Sequence, residues 1–264
     1  MNEARPNILY ILGSGLTRSA RVAGEITILG LKTLYWAFRR PIEMGEIIRQ
    51  VEYLGTKSVS IALLTSLFTG MVLVLQFSIG LERFGAKEYV SIVVALAIVR
   101  ELGPVLTSVV VGGRVGSGIA AELGSMKVTE QIDAISALGA NPVKKLVVPR
   151  MIAMFFGLPM LAFLADIVGI LGGMVIADFE LGLRPTVFIS DVLHGVDLYD
   201  VFNGLSKTFV FAIGIVLIGC YHGMAATGGT EGVGRATTKT VVWSLVFIFA
   251  ADFFLTKLLI LISG

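Results

Sequence analysis

RELGPVLTSVVVGGRVGSGIAAELGSMKVTEQIDAISALGANPVKKLVVPR, residues Arg100–Arg150, starts inside one apolar run and re-enters another at Leu146. Between them lies a ladder of small residues and then a short amphipathic segment. Gly112, Gly116, Ala120 and Gly124 recur at every fourth position, as do Gly113, Ser117, Ala121 and Ser125. On a helix these form two adjacent ridges without side-chain bulk, against which another backbone can come close. Arg114 and Glu122 flank the ridges. Two readings stay open: plain helix packing in a membrane bundle, or a mobile interface that carries a signal.

The next segment reads as a helix from Glu130 to Leu138, with Thr129 as its cap and Glu130 and Gln131 at its positive end. Ile132, Ile135 and Leu138 make an apolar stripe beside Asp133. Gly139 and Asn141-Pro142 stop it. It is far shorter than the roughly 20 residues that a bilayer crossing needs. A short helix between two spans is suited to docking on another protein; otherwise it lies flat on the lipid surface.

The chain has 264 residues, is 55% hydrophobic and has a mean hydropathy of +0.87. Charged residues make up 15%, against about 25% in soluble domains. These values point to an integral membrane protein, read as all-α and built as one domain over 1–264. A net charge of +2 gives no reason to invoke nucleic acid. The single Cys220 excludes an intrachain disulfide. The first residues hold no short apolar core ending in a cleavage site, so no cleavable signal peptide is expected. No Gly-x4-Gly-Lys-Ser/Thr phosphate loop occurs, so any ATP is bound by another chain.

Residues 1–57 carry Arg5, Arg18, Arg21, Lys32, Arg39, Arg40, Arg49 and Lys57. Arg21, Glu25, Lys32 and Arg39 fall on one stripe of a helix over about 17–39, with Val22, Ile26, Leu29, Leu34, Trp36 and Phe38 covering much of the rest. This pattern predicts an amphipathic helix lying in the membrane interface. Five spans follow, near 58–81, 89–111, 146–177, 201–221 and 241–262. The third is too long for one straight crossing, and its start is expected to lie along the interface. Polar loops are expected at 178–200 and 222–240. Segments 1–57, 112–150 and 222–240 hold eight, five and two basic residues, against two at 82–88 and one at 178–200. The positive-inside rule then favours a cytoplasmic N-terminus and a cytoplasmic 130–138 helix.

Arg100, Glu101, Asp166, Lys207 and Asp252 lie within spans. Each costs at least about 2.5–3.5 kcal/mol at the bilayer centre, so each calls for a partner or for water. Arg100 and Glu101 point about 100° apart and reach different neighbours, with Lys207 and Asp252 as candidates. The four make a candidate intramembrane charge network. It reads either as a clamp that fixes helix register or as a switch or proton path. His194 and His222 lack companions at metal spacing, and no catalytic constellation stands out.

The 100–142 stretch resembles the MlaE-type (YrbE-type) permeases, the membrane subunits of ABC transporters that move lipids between membranes. GVGRATTKTVV at Gly232–Val242, followed by Asp252, is a second match, and Ala225–Glu231 departs from the usual family sequence. The resemblance covers roughly 45–262. It implies a non-enzymatic permease in a bacterial inner membrane, working as a homodimer. Two ATPase subunits would carry the ATP and Mg. An MCE-domain lipid-binding protein would sit above, and some systems add a STAS-domain protein. It also implies that Glu130, Gln131, Ile132, Asp133, Ile135 and Leu138 form the helix that couples to the ATPase. A phospholipid site between the two copies would use Leu73, Phe77, Phe84 and Leu102. A proton-coupled transporter or channel using the intramembrane charges is the alternative, and a non-transporting membrane scaffold is a third reading.

Overall fold

Five stretches are long and apolar enough to cross a bilayer: Ser58–Glu82, Lys87–Val128, Val143–Leu181, Leu198–Met224 and Gly229–Ile262. The structure, a computed structural model, describes residues 8–39 and 44–263. Arg5 and Arg40 lie outside the described residues, and the side chains of Arg18 and Lys57 are not described. Among the described residues every regular element is helical and none is a strand. In order they are α1 (Ile8–Ala37), α2 (Met44–Glu82), α3 (Val90–Ala97), α4 (Gly103–Val111), α5 (Ser117–Val128), α6 (Gln131–Ala137), α7 (Val148–Leu181), α8 (Pro185–Gly195), α9 (Leu198–Met224) and α10 (Gly229–Ser263). The fold is an all-α membrane bundle of five spans.

The second span does not end at Val111. Two π turns, Ile98–Leu102 and Gly112–Gly116, join α3, α4 and α5 into one rod that runs to Val128. The small-residue ladder stays helical because it is where backbones meet. A Cβ added to Gly219 of α9 would lie 3.0 Å from the Gly116 carbonyl oxygen, and one on Gly223 would lie 3.1 Å from the Ala120 Cα. Gly112 faces Ile215 and Ile248, and Gly124 faces Ala226 and Val233. Only this ridge is packed; beside Gly113 there is open space.

Three further expectations change. The 222–240 loop shrinks to a turn, closed by Gly228 and Gly229 at φ +87° and +69°, and α10 starts there. The loop at 178–200 is mostly helix: α7 runs to Leu181 and α8 follows. Pro185 suits the first turn of α8, and Phe188 is fully buried against Val74, Val90, Val94, Ile98 and Ala177. The start of the third span is packed inside the bundle instead of lying free on its surface. Leu146, Val147 and Val148 are buried in the protein, and Arg150, only 3% exposed, pairs with Glu122 of α5 at 2.8 Å.

α2 begins at Met44, well before the expected Ser58, and lies along α7 with little between them. Ser66 donates to the Ala165 carbonyl at 2.5 Å, and a Cβ on Gly70 would fall 1.9 Å from the Gly169 carbonyl oxygen. α1 has the asymmetry of an interfacial helix. Leu29 and Thr33 are buried, whereas Arg21, Glu25, Lys32, Leu31, Leu34 and Phe38 are exposed. Tyr221 of α9 donates to Glu25 at 2.6 Å and ties α1 to the bundle.

Candidate functional site

The site begins with Pro104. A proline has no N–H, so in a helix the carbonyl four residues earlier loses its donor. That carbonyl belongs to Arg100, and the Lys207 ammonium supplies the missing hydrogen bond at 3.1 Å. The π turn at 98–102 sits over this break. It lets Arg100 reach Asp200 in the first turn of α9 while Glu101 reaches Lys207, two turns further along α9, and Thr256 of α10.

Lys207 is the hub. Its side chain is fully buried and donates to Glu101 and to Thr256 at 2.6 Å each. Asp252 stands 3.2 Å from the same ammonium, close enough to attract it, although no hydrogen bond forms. Thr256 donates in turn to Glu101 at 3.2 Å. Glu101, Lys207 and Asp252 therefore come together, from the second span, α9 and α10. Arg100 does not join them. It pairs with Asp200, donating through Nε at 2.7 Å, while the other Asp200 oxygen accepts the Asp197 N–H at 2.9 Å. Asp197 and Asp200 form the capping box of α9, so Arg100 fixes where that helix starts. The expected partner from Lys207 or Asp252 is replaced by one that begins the next helix.

The sequence reading placed Asp200 in an outer loop and did not single out Thr256. Both carried a signal. Asp197 and Asp200 are three apart just before an apolar run, and Thr256 lies one turn after Asp252 on the same face. Asp166 has no ionic partner among the described residues. It is buried, and its Oδ1 fills the notch at Gly103, where an added Cβ would fall 1.6 Å away.

The cluster is closed on one side only. Lys207 is shut in, but the Asp252 and Glu101 side chains are 21% and 40% exposed. Their open edges face a groove of about 610 Å³ lined by Glu101, Asp252, Phe253, Thr256, Lys257, Ile260 and Leu261. It is an apolar wall with a charged floor. Among the described residues no three His, Cys, Asp or Glu side chains converge as a metal site. The four apolar residues expected around a lipid do not share a cavity within one chain. Leu73 and Phe77 pack on the Val74–Phe188 core, Phe84 is 84% exposed in the turn after α2, and Leu102 is half-buried beside Glu101.

The helix expected at 130–138 is present as α6, but it is built differently. Glu130 takes a left-handed φ of 60° and makes no side-chain cap, and Thr129 donates back to the Ser125 carbonyl at 2.8 Å. Lys127 and Asp133 pair at 2.8 Å and hold α6 to α5. Ile132 is buried and Ile135 packs against the core. Ile132 and Ile135 of the apolar stripe thus face inward, because the tight turn at Glu130 folds α6 back under α5. What remains outside is Gln131, Asp133, Ser136 and Leu138, the last 86% exposed.

The family model Permease MlaE matches residues 47–258. A probable ABC transporter permease protein of Rickettsia typhi is 37% identical over 96% of this chain and 98% of its own length. Another from Synechocystis is 44% identical over 83% of each chain. The intermembrane phospholipid transport system permease protein MlaE of Haemophilus influenzae is 36% identical over 81% of this chain and 82% of its own.

Proposed function

Because the chain belongs to the Permease MlaE family, we propose that it is the membrane subunit of an ABC transporter that moves phospholipids between inner and outer membranes. In this reading two copies pair in the inner membrane, a separate ATPase binds the ATP and Mg, and an MCE-domain protein receives or delivers the lipid. A STAS-domain protein is a possible further subunit. The similarity to an intermembrane phospholipid transport permease supports the cargo.

The observation that carries the reading is the groove beside Lys207. Only 6% of the apolar window of α10 is buried, and that helix forms most of the groove wall. A span that packs on α9 and α5 along one side and leaves its outer face open has a surface for a second copy, and the groove has room for an acyl chain against Phe253, Ile260 and Leu261. Leu73, Phe77, Phe84 and Leu102 belong to the same proposal as lipid-contacting residues. Glu101, Lys207, Asp252 and Arg100 act in it as the clamp that holds the groove helices in place.

α6 is the proposed ATPase contact, with Leu138 as its apolar tip. Leu138→Asp should leave the chain folded and abolish ATP-dependent lipid transfer in proteoliposomes containing the partner ATPase. Transfer at the parent rate, or transfer that a protonophore stops while ATP is present, would sink this reading. Ile135→Asp is not an equivalent test, since Ile135 packs inward and its loss would damage the fold.

Orientation has its own measurement. Cysteine at His194 should react with an impermeant thiol reagent from the periplasmic side, and cysteine at Ser136 should not. His194 is chosen over Gly195, where a Cβ would fall 2.6 Å from Ile92. Cys220 is buried and stays silent. The opposite labelling would put α6 outside and remove its role.

A further inference from the structure

A second cavity lies at the other end of the bundle, between α1, the 143–147 turn and the end of α9. It has a volume of about 350 Å³ and is lined by Glu25, Ile28, Leu29, Lys32, Val143, Tyr221, Met224 and Ala225. Its chemistry is divided. Ile28, Leu29 and Met224 make an apolar wall. At one edge Glu25 is already taken by the Tyr221 hydroxyl at 2.6 Å. At the other edge stands Lys32, about 10 Å further along the helix. One turn beyond Lys32 is Trp36, with the Lys144 ammonium 5.7 Å from its ring centre. Tyr35 and Arg39 stack next to it, with the guanidinium 4.5 Å from the tyrosine ring. Aromatic rings interleaved with cations mark the headgroup level of a bilayer.

We propose that this cavity binds one phospholipid of the leaflet on the α6 side as a resident ligand. Its phosphodiester rests between Lys32 and Lys144 and its acyl chains run over Ile28 and Met224. Three features select this occupant. The cavity has the size of a headgroup site. Lys32 stands at one edge, with Lys144 outside the lining over the ring of Trp36, while the carboxylate is committed to a hydroxyl at the other. Apolar residues of α1, Ile28 at 53% and Leu31 at 63% exposed, continue from the cavity wall onto the open surface and offer acyl chains a place to lie. The lipid fills the gap beneath α1 and holds that helix against α9. This site is separate from the groove beside Lys207, and it stands whether or not the chain transports lipid.

The test places a benzoyl-phenylalanine at Ile28 of the full chain in mixed phosphatidylglycerol and phosphatidylcholine vesicles. Photolysis should capture phosphatidylglycerol up to about thirtyfold above its share of the vesicle, the factor expected for two lysines near an anionic headgroup. Lys32→Ala with Lys144→Ala should return capture to the bulk ratio, and Lys32→Arg with Lys144→Arg should restore it. Lys145→Ala, which removes the charge next to Lys144 in the chain, should change nothing. Added glycerophosphoglycerol should not compete. Capture at the bulk ratio in the parent, or enrichment that survives the double alanine variant, would overturn the proposal. So would an equal loss with Lys145→Ala, which means general surface charge, or competition by the free headgroup, which means a soluble phosphate ligand.

Discussion

Lys207→Met destabilises the folded chain by about 3–5 kcal/mol, the usual cost of removing one partner from a buried ion pair. The substitution keeps length and apolar bulk but deletes the ammonium. Glu101 and Asp252 are then left close together without a cation, and the Arg100 carbonyl freed by Pro104 loses its donor. Unfolding of the purified chain by a denaturing detergent, followed by circular dichroism, reads the loss. The same loss should be largely repaired when Glu101→Gln and Asp252→Asn are added, because no buried charge is then uncompensated. An unchanged midpoint for Lys207→Met would show that the cluster is not a clamp. A loss that the added amides do not repair would place the effect in packing instead of charge.

Gly70→Leu is the second large effect. α2 and α7 run side by side, and even a methyl at Gly70 would reach within 1.9 Å of the Gly169 carbonyl oxygen. The neighbouring atom is backbone, so no side chain can swing aside. Overpacking typically costs about 1–3 kcal/mol and more where nothing yields. The helices must separate, which also breaks the Ser66 bond to the Ala165 carbonyl. Gly113→Leu is the control: the same substitution in the ladder meets open space and should be almost neutral. The unfolding midpoints of the two variants, measured side by side, decide the matter. Equal midpoints would mean that α2 and α7 are not locked together.

The five spans were legible in the sequence because bilayer thickness leaves a mark that hydropathy reads directly. The intramembrane charges were legible for a related reason: in lipid each one needs a partner. Lys207 was among the candidates and does pair with Glu101, but the other partners were not legible. Arg100 finds Asp200 and Lys207 finds Thr256 across distances in the chain that no local pattern encodes. The ends of the helices were misjudged where small or polar residues stay helical. Gly112–Val128 and the first turns of α10 score low in hydropathy, yet they are held by close packing on neighbouring helices. α6 shows the same limit in another form. Its apolar spacing was visible, but the backbone turn at Glu130 decides which way that face looks. The charged stripe of α1 was legible as an exposed one, since Arg21, Glu25 and Lys32 answer to the surface and not to a distant core.

The π turn at 98–102 is, in geometric terms, a single-residue insertion that the helix has absorbed without unwinding. Residues before it and after it follow two helical phases, offset by about one position. A lone deletion in this stretch would therefore straighten the rod and move Arg100 away from Asp200, or Glu101 away from Lys207, but not necessarily both. The span carries its own length correction, placed where two adjacent opposite charges meet partners two turns apart on α9. A proline four residues downstream of Arg100 keeps that correction from being lost.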